Sequence, residues 1–442
     1  MTATLLRVGR QFSASALLVV SRFGGATIGV VTQILLARTM APDALGLFFF
    51  AMSLAAVLSI LATAGYPQAS IRFLTRYRAF ARGTLYAAFI RLAGRDIVII
   101  AVAVFAILAV TAMRLADRDL ALAIALAAAA IPVIALGQLL GAVANTERKF
   151  LLASVPELLL RPVGLFVAVA VLVWLGIQPN VPILLLTFLM LCLGVLVIQA
   201  IGLRRLNLPV GSHAAIPRRQ RKLWRMTAFP LVILSLFTAL FADVALLLAS
   251  PFMPRADLAV FAICLKITFL VGFAVRAVHM TVMPAVAEDL HRGLISNAMA
   301  RLRETNYLII GVTLAATILI AAFGDRLLAL FDPAFATAHG ALTLLMGSQL
   351  ILALAGPASQ ILSVLGRQRI VVSACPAALA LLCAANAVLI PAYGLKGAAV
   401  AILLSIAAWS TSLAYALLRT TGVRSYLDVR AAWRGAAISQ RA

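Results

Sequence analysis

Carboxylates are scarce in this chain. Its 442 residues hold 14 Asp and Glu against 37 Lys and Arg, a formal net charge of +23. Charged residues of both signs make up only 12%, where soluble globular domains carry about 25%. That shortage excludes an ordinary soluble protein, although the length alone would suit roughly two or three soluble domains. Cysteine is rare as well. Cys192, Cys264, Cys375 and Cys383 stand within apolar stretches, at spacings that suggest neither a disulfide framework nor a metal site. Four histidines, His213, His279, His291 and His339, are scattered and show no metal-ligand spacing. No Walker-type phosphate loop occurs, which argues against direct ATP use. No metal and no cofactor is expected.

Hydrophobic residues are abundant, at 64%. They come in continuous runs of about twenty, each able to cross about 30 Å of hydrocarbon as a helix. Backbone polar groups must be satisfied inside lipid, so a span is a helix or part of a closed barrel. Barrel strands alternate in polarity, and these runs do not. The fold class expected is all-α, a polytopic membrane protein of twelve transmembrane helices. The spans fall at about 12–36, 44–64, 95–113, 120–143, 151–175, 183–202, 226–250, 257–283, 306–323, 341–365, 370–390 and 395–417, with ends good to about 4 residues.

Basic residues sit between these spans. With the N-terminus inside, the inner tails and loops hold 27 Lys and Arg; the outer loops hold six, Arg38, Arg114, Arg118, Arg255, Arg326 and Lys396. The bias places both termini in the cytoplasm. It also accounts for the net charge without a nucleic-acid partner. The densest segment, residues 203–225, carries Arg204, Arg205, Arg218, Arg219, Arg221, Lys222 and Arg225 and no acid. It divides the chain into an N-terminal lobe at 1–203 (helices 1–6), a basic cytoplasmic linker at 204–225, a C-terminal lobe at 226–418 (helices 7–12) and a basic tail at 419–442. The tail is expected either as a short interfacial helix on anionic phospholipids or as a disordered segment. No cleavable signal is expected, because the first apolar stretch runs far past a typical h-region.

The halves echo each other. Residues 37–44 and 249–256 make matching connections, with Pro42 against Pro254 and, at the same distance beyond each, Phe49 against Phe261. Gln138-Leu139-Leu140 and Gln360-Ile361-Leu362 form a second echo. Six helices per half give parallel repeats, two six-helix lobes related by a pseudo-twofold axis along the membrane normal, an arrangement suited to rocking-type alternating access. Generic helix–loop similarity is the alternative.

The stretch Leu36-Ala37-Arg38-Thr39-Met40-Ala41-Pro42-Asp43-Ala44-Leu45-Gly46-Leu47-Phe48 resembles the corresponding region of Wzx-type polysaccharide flippases of the multidrug/oligosaccharidyl-lipid/polysaccharide exporter superfamily. So do Ala64-Gly65-Tyr66-Pro67-Gln68-Ala69-Ser70-Ile71-Arg72-Phe73 and the run Asn386 to Ala399, which contains Leu389-Ile390-Pro391-Ala392-Tyr393-Gly394. Met40 and Ala41 depart from the usual Leu and Gly, and Leu45 from the usual Phe. The resemblance implies movement of an undecaprenyl-pyrophosphate-linked oligosaccharide between leaflets of a bacterial inner membrane. The polymer would be O-antigen, capsule or exopolysaccharide. Glycan polymerase machinery would be a possible partner. Coupling to H+, Na+ or the membrane potential is left open.

Ionisable groups within spans cost about 2.5–3.5 kcal/mol on insertion scales and usually face a cavity or a partner. Arg22 and Arg161 fall near the middle of their spans, and Arg276 lies nearer an inner end, with His279 one turn on. Gln33 shares a face with Arg22. Arg22, Arg276 and Arg161 are expected to line an inward-opening cationic cavity, because an arginine fork gives paired charge-assisted bonds to a pyrophosphate. The alternative is simple structural pairing, for Arg161 with Glu157 one turn before it. Asp243 and Lys266 match in depth and would act as an ion pair, a gate or a coupling switch. Gly24-Gly25 would permit close helix approach or bending. Pro156, Pro230, Pro284, Pro357 and Pro376 are hinge candidates.

Two rival classes remain. A cation-coupled multidrug extruder would be expected to have a more acidic cavity. A membrane glycan polymerase or ligase would be expected to have paired loop acids or a large outer domain, and the outer loops here are short. The chain is therefore expected to be a transporter and not an enzyme.

Overall fold

The computed structural model describes residues 21, 24–206, 217–292 and 294–421. Arg22, the middle of the basic linker and the C-terminal tail from residue 422 lie outside the described residues. Among the described residues the chain is almost wholly helical and contains no strand.

Helix α1 runs over 24–39. It is followed by α2 (Pro42–Ala62), α3 (Tyr66–Ala79), α4 (Gly83–Arg114), α5 (Arg118–Thr146) and α6 (Phe150–Val155). A π-helical turn (Pro156–Leu160) leads into α7 (Arg161–Trp174), then α8 (Val181–Arg204), α9 (Arg218–Thr238) and α10 (Phe241–Ala249). The remainder is α11 (Arg255–His291), α12 (Ile295–Ala329), α13 (His339–Ala355), α14 (Ala358–Val364) and α15 (Gln368–Thr421).

Local chemistry explains several ends. Asp117 caps α5 by accepting from the N–H groups of Asp119 and Leu120. Asn180 caps α8 through the N–H of Ile183 at 3.0 Å. Gly176, at φ 71°, closes α7 with the paired bonds Gly176 N–H to Val173 O and Ile177 N–H to Leu172 O. Pro42 starts α2 and Pro254 directly precedes α11. The phenylalanines that follow them, Phe49 and Phe261, are both buried, at 2% and 1% exposure.

Eight helices among the described residues are long and apolar enough to cross a membrane, nine if the bent pair α9 and α10 counts as one span. The expected twelve is not reached by that measure. One reason is physical. The 54 residues of α15 are two helices that meet at Gly394, whose φ of 56° and ψ of −132° are not helical. Ser405 Oγ donates to the Ala378 carbonyl at 2.7 Å across 27 residues. A straight helix of that length would hold them about 40 Å apart, so the segment folds back on itself. Large apolar side chains stand exposed along the spans, among them Ile107, Met113, Ile318 and Leu319. That is the pattern of helices whose outer faces meet lipid.

The chain divides into two compact units, Met1–Val244 and Ala245–Ala442. Helix α9, expected at the head of the second lobe, belongs to the first unit. The helix begins at Arg218, eight residues before the expected span and inside the expected linker. Its Trp224 is fully buried with Ala228 in a cluster that includes Tyr66, Phe73, Phe89 and Leu92. The Trp224 and Phe89 rings meet edge to face at 5.3 Å, and Trp224 Nε1 donates to Tyr77 Oη at 2.8 Å. In the second unit, Phe261, Leu342, Leu345 and Met346 are buried.

Gly65 shows how tightly α9 is seated. It has φ 76°, and an added Cβ would lie 2.0 Å from the Ala228 carbonyl oxygen. Gly176 has a similar φ of 71° but open space around it. Gly65→Ala is expected to cost roughly 2–3 kcal/mol, clearly more than Gly176→Ala, because it adds a backbone clash to the same conformational strain. Thermal unfolding of both variants in detergent measures the difference; equal midpoints would show that the close approach is not needed.

Candidate functional site

Span five breaks where its charges are. Pro156 opens the π-helical turn, and the Arg161 N–H closes it on the Pro156 carbonyl, five residues back. Pro162 follows, with no N–H to offer the Leu158 carbonyl one turn behind. Helix α1 uses that spot. An added Cβ on Gly25 would fall 1.8 Å from Leu158 O, whereas one on Gly24 would touch only Leu159 Cδ1 at 4.0 Å. The glycine pair singled out in the sequence therefore does permit close approach, through its second member.

The same turn places Arg161 and Glu157 on a small cavity of about 20 Å³ between α5, α7 and α8, lined in part by Val133, Ile134 and Val195. That is room for about one water. Gln138, Gln199 and Cys192 also line it. Arg161 Nη1 stands 3.9 Å from Glu157 Oε1, a long ion pair, and its guanidinium lies over the Phe188 ring at 5.6 Å. Gln199 is 1% exposed; its Nε2 donates to the Ala153 carbonyl at 3.2 Å, while its Oε1 has no hydrogen-bond partner. A buried acceptor without a partner beside a cationic side chain marks a place for a donor or a water.

The other expected residues are distributed as follows. Gln33 is half-buried on α1. Arg22 lies outside the described residues, and so do the side chains of Arg276 and His279, whose backbone belongs to α11. Lys266 is half-buried on α11 in the second unit. Asp243 falls in the first unit, in the first turn of α10, where it accepts a hydrogen bond from Ser53 Oγ of α2 at 2.8 Å. A carboxylate in the first turn is favoured by the helix dipole. Helices α9 and α10 bend by 76° at their junction. The break is at residues 239–240, so Pro230, a hinge candidate, lies inside α9 instead. Pro376 is likewise inside α15, whereas Pro357 sits at the break between α13 and α14.

The most complete polar network was not anticipated. Asp96 is 8% exposed on α4. Arg225 holds it with both arms of its fork, Nε to Oδ2 at 2.8 Å and Nη2 to Oδ1 at 2.9 Å. Tyr66 Oη donates to Oδ2 at 2.7 Å, and Arg95 approaches Oδ1 at 3.5 Å. Burial first, and then the Asp96 carboxylate, push the Tyr66 phenol above its ordinary range. A second set repeats the chemistry: Tyr86 Oη donates to Glu147 Oε1 at 2.7 Å, and Arg78 pairs with Glu147 Oε2. A lone carboxylate at the start of an apolar run was the signal available for Asp96, because such a group needs a partner.

These features define a polytopic, all-helical membrane protein. A family model described as polysaccharide biosynthesis protein matches residues 14–289, and the chain belongs to that family. Among solved structures, a multidrug resistance MATE family transporter of the MOP superfamily, in its inward-facing conformation, aligns with a TM-score of 0.74 at 14% identity, over 90% of this chain and 96% of that one. The lipid II flippase MurJ, in an inward closed conformation, aligns with a TM-score of 0.66 at 13% identity, over 96% of this chain and 91% of that one. An outward-facing MATE transporter gives 0.61 at 15% identity, over 91% and 96%. A search of the curated proteins finds no match. The resemblance to Wzx-type members of that superfamily, drawn from short motifs, is thus borne out by family and fold.

Proposed function

We propose that the protein moves an undecaprenyl-pyrophosphate-linked oligosaccharide from the inner to the outer leaflet of a bacterial cytoplasmic membrane by alternating access. The family match carries this reading. It joins a polysaccharide pathway to a chain whose neighbours in fold include a flippase for a lipid-linked sugar. The intramembrane charges favour it over a cation-coupled drug extruder, since Arg22, Arg161, Lys266 and Arg276 outnumber the acids Asp243 and Glu157. Arg161 adds support: its ion pair with Glu157 is long, at 3.9 Å, which leaves its fork able to donate to a phosphate oxygen. In this scheme both termini are cytoplasmic, no cofactor takes part, and H+, Na+ or the membrane potential supplies the drive. Asp243 and Lys266 are its gating or coupling candidates.

Translocation in reconstituted vesicles tests the reading, with leaflet exposure of the glycan as readout. The wild type is expected to move the lipid-linked glycan, and Arg161→Gln to slow it by about tenfold, the cost of losing one charged hydrogen-bond donor set. A wild type that extrudes cationic dyes yet moves none of a panel of lipid-linked glycans would replace the flippase by the extruder.

A further inference from the structure

The first turns of α9 carry an arrangement that the orientation bias does not require. Arg218, Arg221, Lys222 and Arg225 recur at helical spacing and share one face. The adjoining face, with Trp224 and Ala228, is buried. Like charges stacked three and four residues apart repel each other. Cations in a first turn also oppose the helix dipole, and α9 has neither an acid nor a side-chain cap there. These four cations and Arg95 of α4 line one cleft of about 330 Å³ with Met226. The nearest carboxylate, Asp96, already receives Arg225 and Tyr66 on its oxygens. Among the described residues, five cations thus face a cleft whose adjoining acid, Asp96, is occupied.

The cleft continues into a second, of about 370 Å³, which shares Arg95 and Arg225, includes their partner Asp96 and Tyr66, and is otherwise apolar, lined by Ile99, Ile100 and Phe229. Met226 and Phe229 are 66% and 67% exposed, and Ile99 is 58% exposed. Along the same face of α9 the lining therefore changes from cationic to apolar over about three turns. That order fits an anionic head joined to hydrocarbon chains.

We propose that the α4–α9 cleft is a binding site for an anionic phospholipid of the surrounding bilayer, its phosphate among Arg95, Arg218, Arg221, Lys222 and Arg225 and its acyl chains along Ile99, Met226 and Phe229. The site lies wholly in the first unit and does not depend on what the protein transports. Charge complementarity selects the head, since each Lys or Arg near the surface adds attraction for anionic lipid. The apolar continuation selects a lipid over a soluble phosphate.

The test is native mass spectrometry of the full-length protein released from phosphatidylglycerol or phosphatidylcholine micelles. The triple variant Arg218→Gln/Arg221→Gln/Lys222→Gln leaves Arg225 on Asp96. It is expected to retain at least about tenfold less phosphatidylglycerol than wild type, with phosphatidylcholine unchanged. The conservative Arg218→Lys/Arg221→Lys is expected to retain it, which separates charge from fold; an unchanged elution profile checks that the triple variant is intact. Wild-type retention by the triple variant would overturn the proposal, as would equal retention of the two lipids by wild type. Displacement of phosphatidylglycerol by an equimolar polyprenyl pyrophosphate would overturn it as well, by assigning the cleft to the transport substrate.

Discussion

Arg225→Ala is expected to destabilise the protein by roughly 2–4 kcal/mol, reduced from the range for a fully buried pair because the Arg225 side chain is half exposed. The cost comes from what is left behind. Asp96 stays buried on α4, deprived of two charge-assisted bonds at 2.8 and 2.9 Å. Tyr66 Oη and a distant Arg95 remain its partners. The double variant Asp96→Ala/Arg225→Ala removes the orphaned charge together with its partner. Its loss is expected to fall short of the sum of the single losses by about 1–3 kcal/mol. The unfolding midpoint in detergent, followed by tryptophan fluorescence, reads this directly, since Trp224 is buried one residue from Arg225. Strict additivity would mean that the two side chains do not support each other.

This network also separates what the sequence discloses from what it hides. Apolar runs disclose the helices, because a span must satisfy its own backbone. The non-helical Gly394 falls in the gap between the expected spans 370–390 and 395–417. The Asp96 to Arg225 bond joins residues 129 apart, and no local pattern encodes it. Counting charges treats every arginine of a loop alike, so it does not distinguish Arg225, which stands on the helix that begins at Arg218, from the linker arginines before it. The bend between α9 and α10 was likewise hidden: Pro230 suggested a hinge, yet the break of 76° falls where no proline stands. Arg161 lies between these cases. Its i,i+4 partner Glu157 was visible from spacing, while Phe188 and the buried Gln199 come from a different helix and appear only with the fold.

Gly25→Ala is expected to have the larger effect, at roughly 3 kcal/mol or more, because the contact it would disturb is backbone against backbone. A Cβ placed 1.8 Å from Leu158 O cannot be accommodated by a rotamer change, so α1 or the π-helical turn must move. That turn carries both Glu157 and, at its closing residue, Arg161. Displacing it shifts the charged pair relative to Gln138 on α5 and Gln199 on α8, so transport is expected to fall even in the fraction that remains folded. Gly29→Ala is the matched control. It lies one turn further along α1, has nothing within 4 Å of an added Cβ, and exchanges glycine for a better helix former. Its midpoint is expected to equal or exceed that of wild type. If Gly25→Ala behaved like Gly29→Ala in both unfolding and translocation, α1 would not be seated on the turn as described, and Arg161 would lose its physical link to the first helix.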